Sequence, residues 1–144
     1  MEDFLTKSVI IIPHFNNLVG LTKSISCIHH RKGIDVLVID DGSNEDEKPT
    51  DLYLSSFVNE NVNLNILSLE KNEGITLALN HGLKFILEKN THKYIARLDC
   101  GDTSVVNRFH IQEDFLDKNK ECALVGSWVK WMNNETNNEM YSFR

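Results

Sequence analysis

The chain has 144 residues, 41% of them hydrophobic and 25% charged, the balance of a globular domain, which excludes a disordered or membrane-embedded chain. Its formal charge of -6 arises from 21 acidic against 15 basic residues. The basic residues are scattered rather than striped, which argues against a nucleic-acid partner.

The first apolar run, Val9, Ile10, Ile11 and Ile12, is short, β-branched and stopped by Pro13, so it predicts a buried strand. Residues 18–30 follow, with Leu18, Leu21, Ile25 and Ile28 at helical spacing and Gly33 as the stop. A second continuous run, residues 36–39, has the two apolar faces that a strand inside a helix-covered parallel sheet requires. A weaker helix is predicted over residues 52–58 and a third strand over 64–69. Gly74 opens the best-patterned helix, with Ile75, Ala78, Leu79, Gly82, Leu83, Ile86 and Leu87 on one side. Residues 94–98 form a fourth strand, residues 107–119 a helix, and residues 123–131 a fifth extended segment. The Asn-rich residues 133–138 are expected to be a loop. This alternation predicts an α/β fold, a doubly wound open sheet, as a single domain over residues 1–144.

Cys27, Cys100 and Cys122 are odd in number and form no CxxC pair, so neither a disulfide framework nor a zinc knuckle is indicated and a cytoplasmic location is expected. Residues 1–7 lack the pattern of a secretory leader, and no apolar stretch nears the roughly 20 residues of a membrane helix. A net acidic domain that binds an anionic nucleotide needs a local device such as a bound cation, because its overall field repels the ligand.

In an open α/β sheet the ligand crevice lies beyond the carboxyl ends of the strands. Here those ends carry Pro13, His14, Phe15 and Asn16; then Asp40, Asp41, Gly42 and Ser43; then Asn72 and Gly74; then Asp99 and Asp102. Two carboxylates with a glycine between them can converge on a hard divalent cation that keeps several waters, or they can be plain turn and N-cap carboxylates. One carboxylate of the Asp40–Asp41 pair can accept from a base N–H, though Asp-Gly is also an ordinary turn. Asn72 can point an amide at a ligand while Gly74 supplies a positive φ, and Asn80 is either a satisfied core amide or a support for the site. His29 and His30 are expected to end a helix, where positive charge suits the dipole, and Trp128 and Trp131 to pack in the core.

Together these stretches resemble the inverting family two of GT-A glycosyltransferases, from Ser8 to about Trp131. Residues 8–17 look like the family's opening strand and Pro-x-Tyr-Asn turn, with Phe15 in place of tyrosine; residues 38–43 look like its second-strand signature. Residues 72–74 and 80–82 are similar to its pair of Asn-x-Gly motifs. Residues 94–102, with Arg108, Phe109, Gln112 and residues 125–127, are similar to a branch found in capsule and lipopolysaccharide assembly. The resemblance implies a Rossmann-like GT-A sheet that binds a UDP-sugar with Mg²⁺ or Mn²⁺. Pro13, Phe15 and Asn16 would line the nucleotide pocket, Asp41 with Asp40 would meet the uracil, and Asn72, Gly74 and Asn80 would flank the donor. Asp99 would serve the metal and ribose-diphosphate site, with Arg97 orienting it or approaching phosphate. The family commonly has Asp-x-Asp-Asp where this chain has Gly101, so the metal pair becomes Asp99 and Asp102.

Complete members of the family run further and supply the acceptor pocket and the general base there. Neither Glu135 nor Glu139 has the context of that base, so the chain is expected to bind UDP and to transfer sugar poorly. The implied acceptor is a glycan or a lipid-linked one, at the inner face of the membrane. The rival readings are a nucleotidyltransferase, which ordinarily shows a glycine-rich basic loop after the first strand, and a non-catalytic module with a decayed pocket, for which Gly101 is the best evidence.

Overall fold

The computed structural model describes residues 7–133, 136 and 138–143. The chain divides into two compact units, Met1–His110 and Ile111–Arg144.

The first unit is built on four parallel strands in the order β3-β2-β1-β4. These are β1 (Lys7–His14), β2 (Ile34–Asp40), β3 (Val62–Ser68) and β4 (His92–Arg97). Helix α1 (Leu18–Ser26) joins β1 to β2, a short helix α2 (Asp51–Leu54) precedes β3, and α3 (Ile75–Lys89) joins β3 to β4.

Side chains alternate across a strand, so each run of β-branched residues feeds two cores. Ile10, Ile12, Val36 and Val38 pack with Leu21, Ile25 and Ile28 from α1 and the loop beyond it. Val9, Ile11, Leu37 and Ile39 face the other way, onto Ala78 and Ile86 of α3. All these strand residues are at most 5% exposed, each fully buried aliphatic side chain contributing roughly 1.5–3 kcal/mol. Gly82 lets α3 approach the sheet, since a Cβ there would stand 2.7 Å from Ile39 Cδ1. The predicted α/β sheet, with helices on both faces, is the observed one.

Helix α1 stops at Ser26, short of the predicted end at His30. Ile28 still reaches the core from the turn that follows, which is why the helical spacing ran on past the helix. His29 and His30 therefore lie in the α1–β2 connection, His29 exposed and His30 buried.

Helix α4 (Arg108–Lys118) starts in the first unit and ends in the second, which also holds the antiparallel pair β5 (Val129–Met132) and β6 (Glu139–Phe143). The extended segment expected over residues 123–131 is thus a strand only from Val129, and it belongs to a separate two-stranded sheet. Residues 123–128 lie outside the strands of the described residues, and Leu124 and Trp128 stand exposed. Trp131 is exposed too and stacks on Tyr141 with ring centroids 5.7 Å apart, so neither tryptophan is in the core. Of the expected loop, Asn133 N donates to Asn138 O across 2.9 Å, while Asn134, Glu135 and Asn137 lie outside the described residues. Glu139 pairs with Lys130 Nζ at 2.7 Å. Among the described residues, no helix is long and apolar enough to cross a membrane.

Candidate functional site

The chain runs outward from β1 to β2 to β3 and then returns to pair β4 with the other side of β1. That reversal makes a topological switch point at the carboxyl ends of β1 and β4, the place where open α/β sheets hold their ligands. Asp40 and Asp41 at the end of β2 and Asp99 after β4 flank this point, two strand spacings or about 10 Å apart in the sheet.

The connections after β1 and β2 are stitched together. Asn16, at φ +47°, donates its backbone N–H to Ser43 Oγ at 2.9 Å, and its side-chain oxygen accepts from Asn44 N at 2.8 Å. Asparagine is among the few residues that tolerate this left-handed backbone. Pro13 is buried beneath this junction, and Phe15 is 46% exposed at the mouth.

The two aspartates of β2 have different environments. Asp41 is buried and accepts backbone N–H bonds from Glu73 and Gly74, one on each oxygen and each 2.8 Å long. It thereby ties the start of α3 to the end of β2. Asp40 is fully buried; its Oδ1 accepts from Ser43 N at 3.1 Å, while Oδ2 has no hydrogen-bond partner among the described residues. A buried carboxylate oxygen in that state is completed by a water or by a ligand's N–H. Gly42 lets the next loop close in: at φ +70°, a Cβ there would lie 2.4 Å from Lys71 C. Asn72 is exposed on that loop, Gly74 is the N-cap of α3 at φ +89°, and Asn80 is exposed on α3 rather than a core amide.

After β4, Arg97 grips Asp99 with two hydrogen bonds, Nε to Oδ1 at 2.6 Å and a terminal nitrogen to Oδ2 at 3.0 Å. The hydrogen bond donated to Asp99 raises the guanidinium above its ordinary value, so Arg97 stays a cation. Both side chains are about half exposed, where such pairs contribute little stability; the fork orients Asp99 rather than holding the fold.

Asp99 and Asp102 belong to one turn, closed by Asp102 N donating to Asp99 O at 3.0 Å, with Gly101 at φ +97° inside it. Both carboxylates are reachable from solvent. As hard oxygen donors on one turn, they have the chemistry of a Mg²⁺ or Mn²⁺ site that leaves coordination positions for water and phosphate.

Sequence reasoning missed the part that Ser24, Cys100 and His14 play around this turn. Ser24, fully buried on α1, accepts from Gly101 N at 2.9 Å and donates to Asp102 O at 2.8 Å. Cys100 donates its thiol to Asn17 O at 3.4 Å and lies 3.8 Å from His14 Nδ1. Burial first, then the charges of Asp102 and Asp99, push this thiol up to about 11. Buried His14 meets Glu47 O through Nε2 at 2.9 Å, and the Glu47 carboxylate accepts from Leu18 N at 2.8 Å at the start of α1. A serine inside the apolar stripe of α1 was the one available signal.

Comparison with known proteins agrees with this architecture. An Escherichia coli protein, UDP-Gal:alpha-D-GlcNAc-diphosphoundecaprenol beta-1,3-galactosyltransferase, is 36% identical over 69 residues, covering 48% of this chain and 24% of its own length. The amylovoran biosynthesis glycosyltransferase AmsE of Erwinia amylovora is 39% identical over 64 residues, 44% of this chain and 23% of its own. The chain thus spans about a quarter of the length of these relatives. Among solved structures, S. aureus TarS 1-349 in complex with UDP superposes with a TM-score of 0.60 at 22% identity, covering 80% of this chain and 33% of that one, a likeness of fold. Residues 9–143 match the family described as Glycosyl transferase family 2, and the chain belongs to that family.

Proposed function

We propose that this chain is the donor-binding part of an inverting glycosyltransferase that takes a UDP-sugar with a divalent cation and serves cell-surface polysaccharide assembly in the cytoplasm. The observation that carries the reading is the pair of unlike ends across β1: a buried carboxylate with an open oxygen at Asp40, and the Arg97–Asp99 fork beyond β4. Family membership supports the reaction class. The UDP of the TarS complex and the UDP-Gal in the name of the E. coli relative support the donor, and amylovoran biosynthesis supports a polysaccharide product.

In this reading the base lies over Pro13, Phe15 and Asn16, with its N–H groups toward Asp40 and Asp41. Each Asp41 oxygen already accepts one bond, and an ionised carboxylate has about four lone-pair sites in all. Asn72, Gly74 and Asn80 border the donor on the α3 side. Asp99 and Asp102 would hold Mg²⁺ or Mn²⁺, which when bound supplies the neutralising charge on a departing diphosphate. Arg97 turns Asp99 toward that position and adds a fixed positive charge near the phosphates. An acceptor hydroxyl, on a glycan or a lipid-linked saccharide, attacks the anomeric carbon in line.

Calorimetric titration with UDP, with and without Mn²⁺, tests the reading. Saturable UDP binding that Mn²⁺ tightens, and that Asp99→Asn weakens about tenfold or more, is the expected result. No heat in either condition favours the decayed module, for which Gly101 speaks, and a preference for CTP or ATP favours nucleotidyl transfer.

A further inference from the structure

Away from the donor crevice, the first unit has a cavity of about 460 Å³ where the α1–β2 connection meets the stretch entering α4. Three of the chain's six histidines, His29, His30 and His110, line it. Ser104 N donates to Cys27 Sγ at 3.1 Å, which carries the chain from β4 back along α1 to this place. His30 is 8% exposed, and its ring meets that of His110 edge-on, centroids 5.9 Å apart at 75°. One ring nitrogen of each lies within 4.8 Å of the other.

We propose that His30 and His110 bind a divalent transition-metal ion of the Zn²⁺ type in this cavity, separate from the hard-cation site of the donor crevice. The ligand chemistry sets the class: imidazole nitrogen suits zinc, nickel and copper, whereas magnesium and manganese prefer carboxylate and water oxygen. Two nitrogens on a tetrahedral zinc stand roughly 3.4 Å apart at bonds of about 2.0–2.1 Å, inside the 4.8 Å within which the ring nitrogens of His30 and His110 lie. An imidazole has two nitrogens, so one can take the metal while the other keeps a hydrogen bond that orients the ring. Exposed His29 and Glu60 line the same cavity. The ion would clamp the connection after α1 to the start of α4, and because the unfolded chain lacks this geometry, binding would stabilise the fold.

The test is a titration of the purified chain with ZnCl₂ as the sole transition metal, in excess Mg²⁺, followed by calorimetry and by thermal unfolding. The expected result is one zinc per chain and a rise of several degrees in the unfolding midpoint. His110→Gln and His30→Gln should each weaken zinc at least tenfold, and the Asp99→Asn/Asp102→Asn double variant should leave it unchanged. Should buried His30 prove intolerant of substitution, the imidazole NMR signals of the unaltered chain decide: zinc must move those of His30 and His110. Absence of saturable binding, zinc binding that survives both histidine variants, loss of it in the aspartate variant, or unmoved His30 and His110 signals would each overturn the proposal.

Discussion

Cys100 sits beside the aspartates of the candidate metal turn, yet its chemistry is that of a quiet thiol. Burial and the neighbouring carboxylates raise it from 9.0 to about 11, and the thiolate is the reactive form. At pH 8 a rise of two units lowers the thiolate population about a hundredfold, so iodoacetamide should label Cys100 at least that much more slowly in the folded protein than in the denatured one. Equal rates, followed by peptide mass at this residue, would contradict the account. The sign of the stability effect follows. Below pH 9 the thiol is protonated folded or unfolded, and stability is unaffected; between 9 and 11 the unfolded chain releases a proton that the folded one keeps, so stability falls as pH rises. Ser24 and Cys100 act through backbone atoms more than seventy residues away, and such bonds leave no local pattern. Asp40 and Asp41 were legible as a carboxylate pair at a strand end, but their different environments were not, since those depend on where the loop after β3 returns.

Among the elements, the strands were the most readable, because apolar runs such as residues 9–12 are demanded by a sheet covered on both faces. Helix α1 was read too long because Ile28 packs like a helical residue from a turn. Residues 123–131 have the apolar content of one extended segment, but apolar content is not burial: Leu124 and Trp128 are exposed, and the strand begins only at Val129. The junction of β2 with α3 is where an element-level prediction is sharpest. Gly42→Ala places a Cβ 2.4 Å from the Lys71 carbonyl carbon as well as at φ +70°, while Gly33→Ala, at φ +95°, meets nothing closer than 3.5 Å. Gly33→Ala should therefore cost about 1 kcal/mol of backbone strain and Gly42→Ala clearly more, roughly 2–4 kcal/mol, in urea unfolding. Equal losses would mean that the loop of Lys71 and Asn72 yields freely and is not fixed against the candidate site.

For the molecule as a whole, a charge of -6 opposes an anionic donor, so binding must rest on local positive charge and oriented donors. The four-stranded order, with its reversal at β1, puts Asp40 and Asp41 on one side of the central strand and the Arg97–Asp99 fork on the other. A nucleotide-sugar spans that distance with its base at one end and its diphosphate at the other. The most direct test is a crystal structure of the chain grown with UDP and Mn²⁺. The account predicts the base beside Asp40 at the ends of β1 and β2, and the diphosphate with a cation at Asp99 and Asp102. A nucleotide seated elsewhere, or reversed so that its base lies at Asp99, would contradict it.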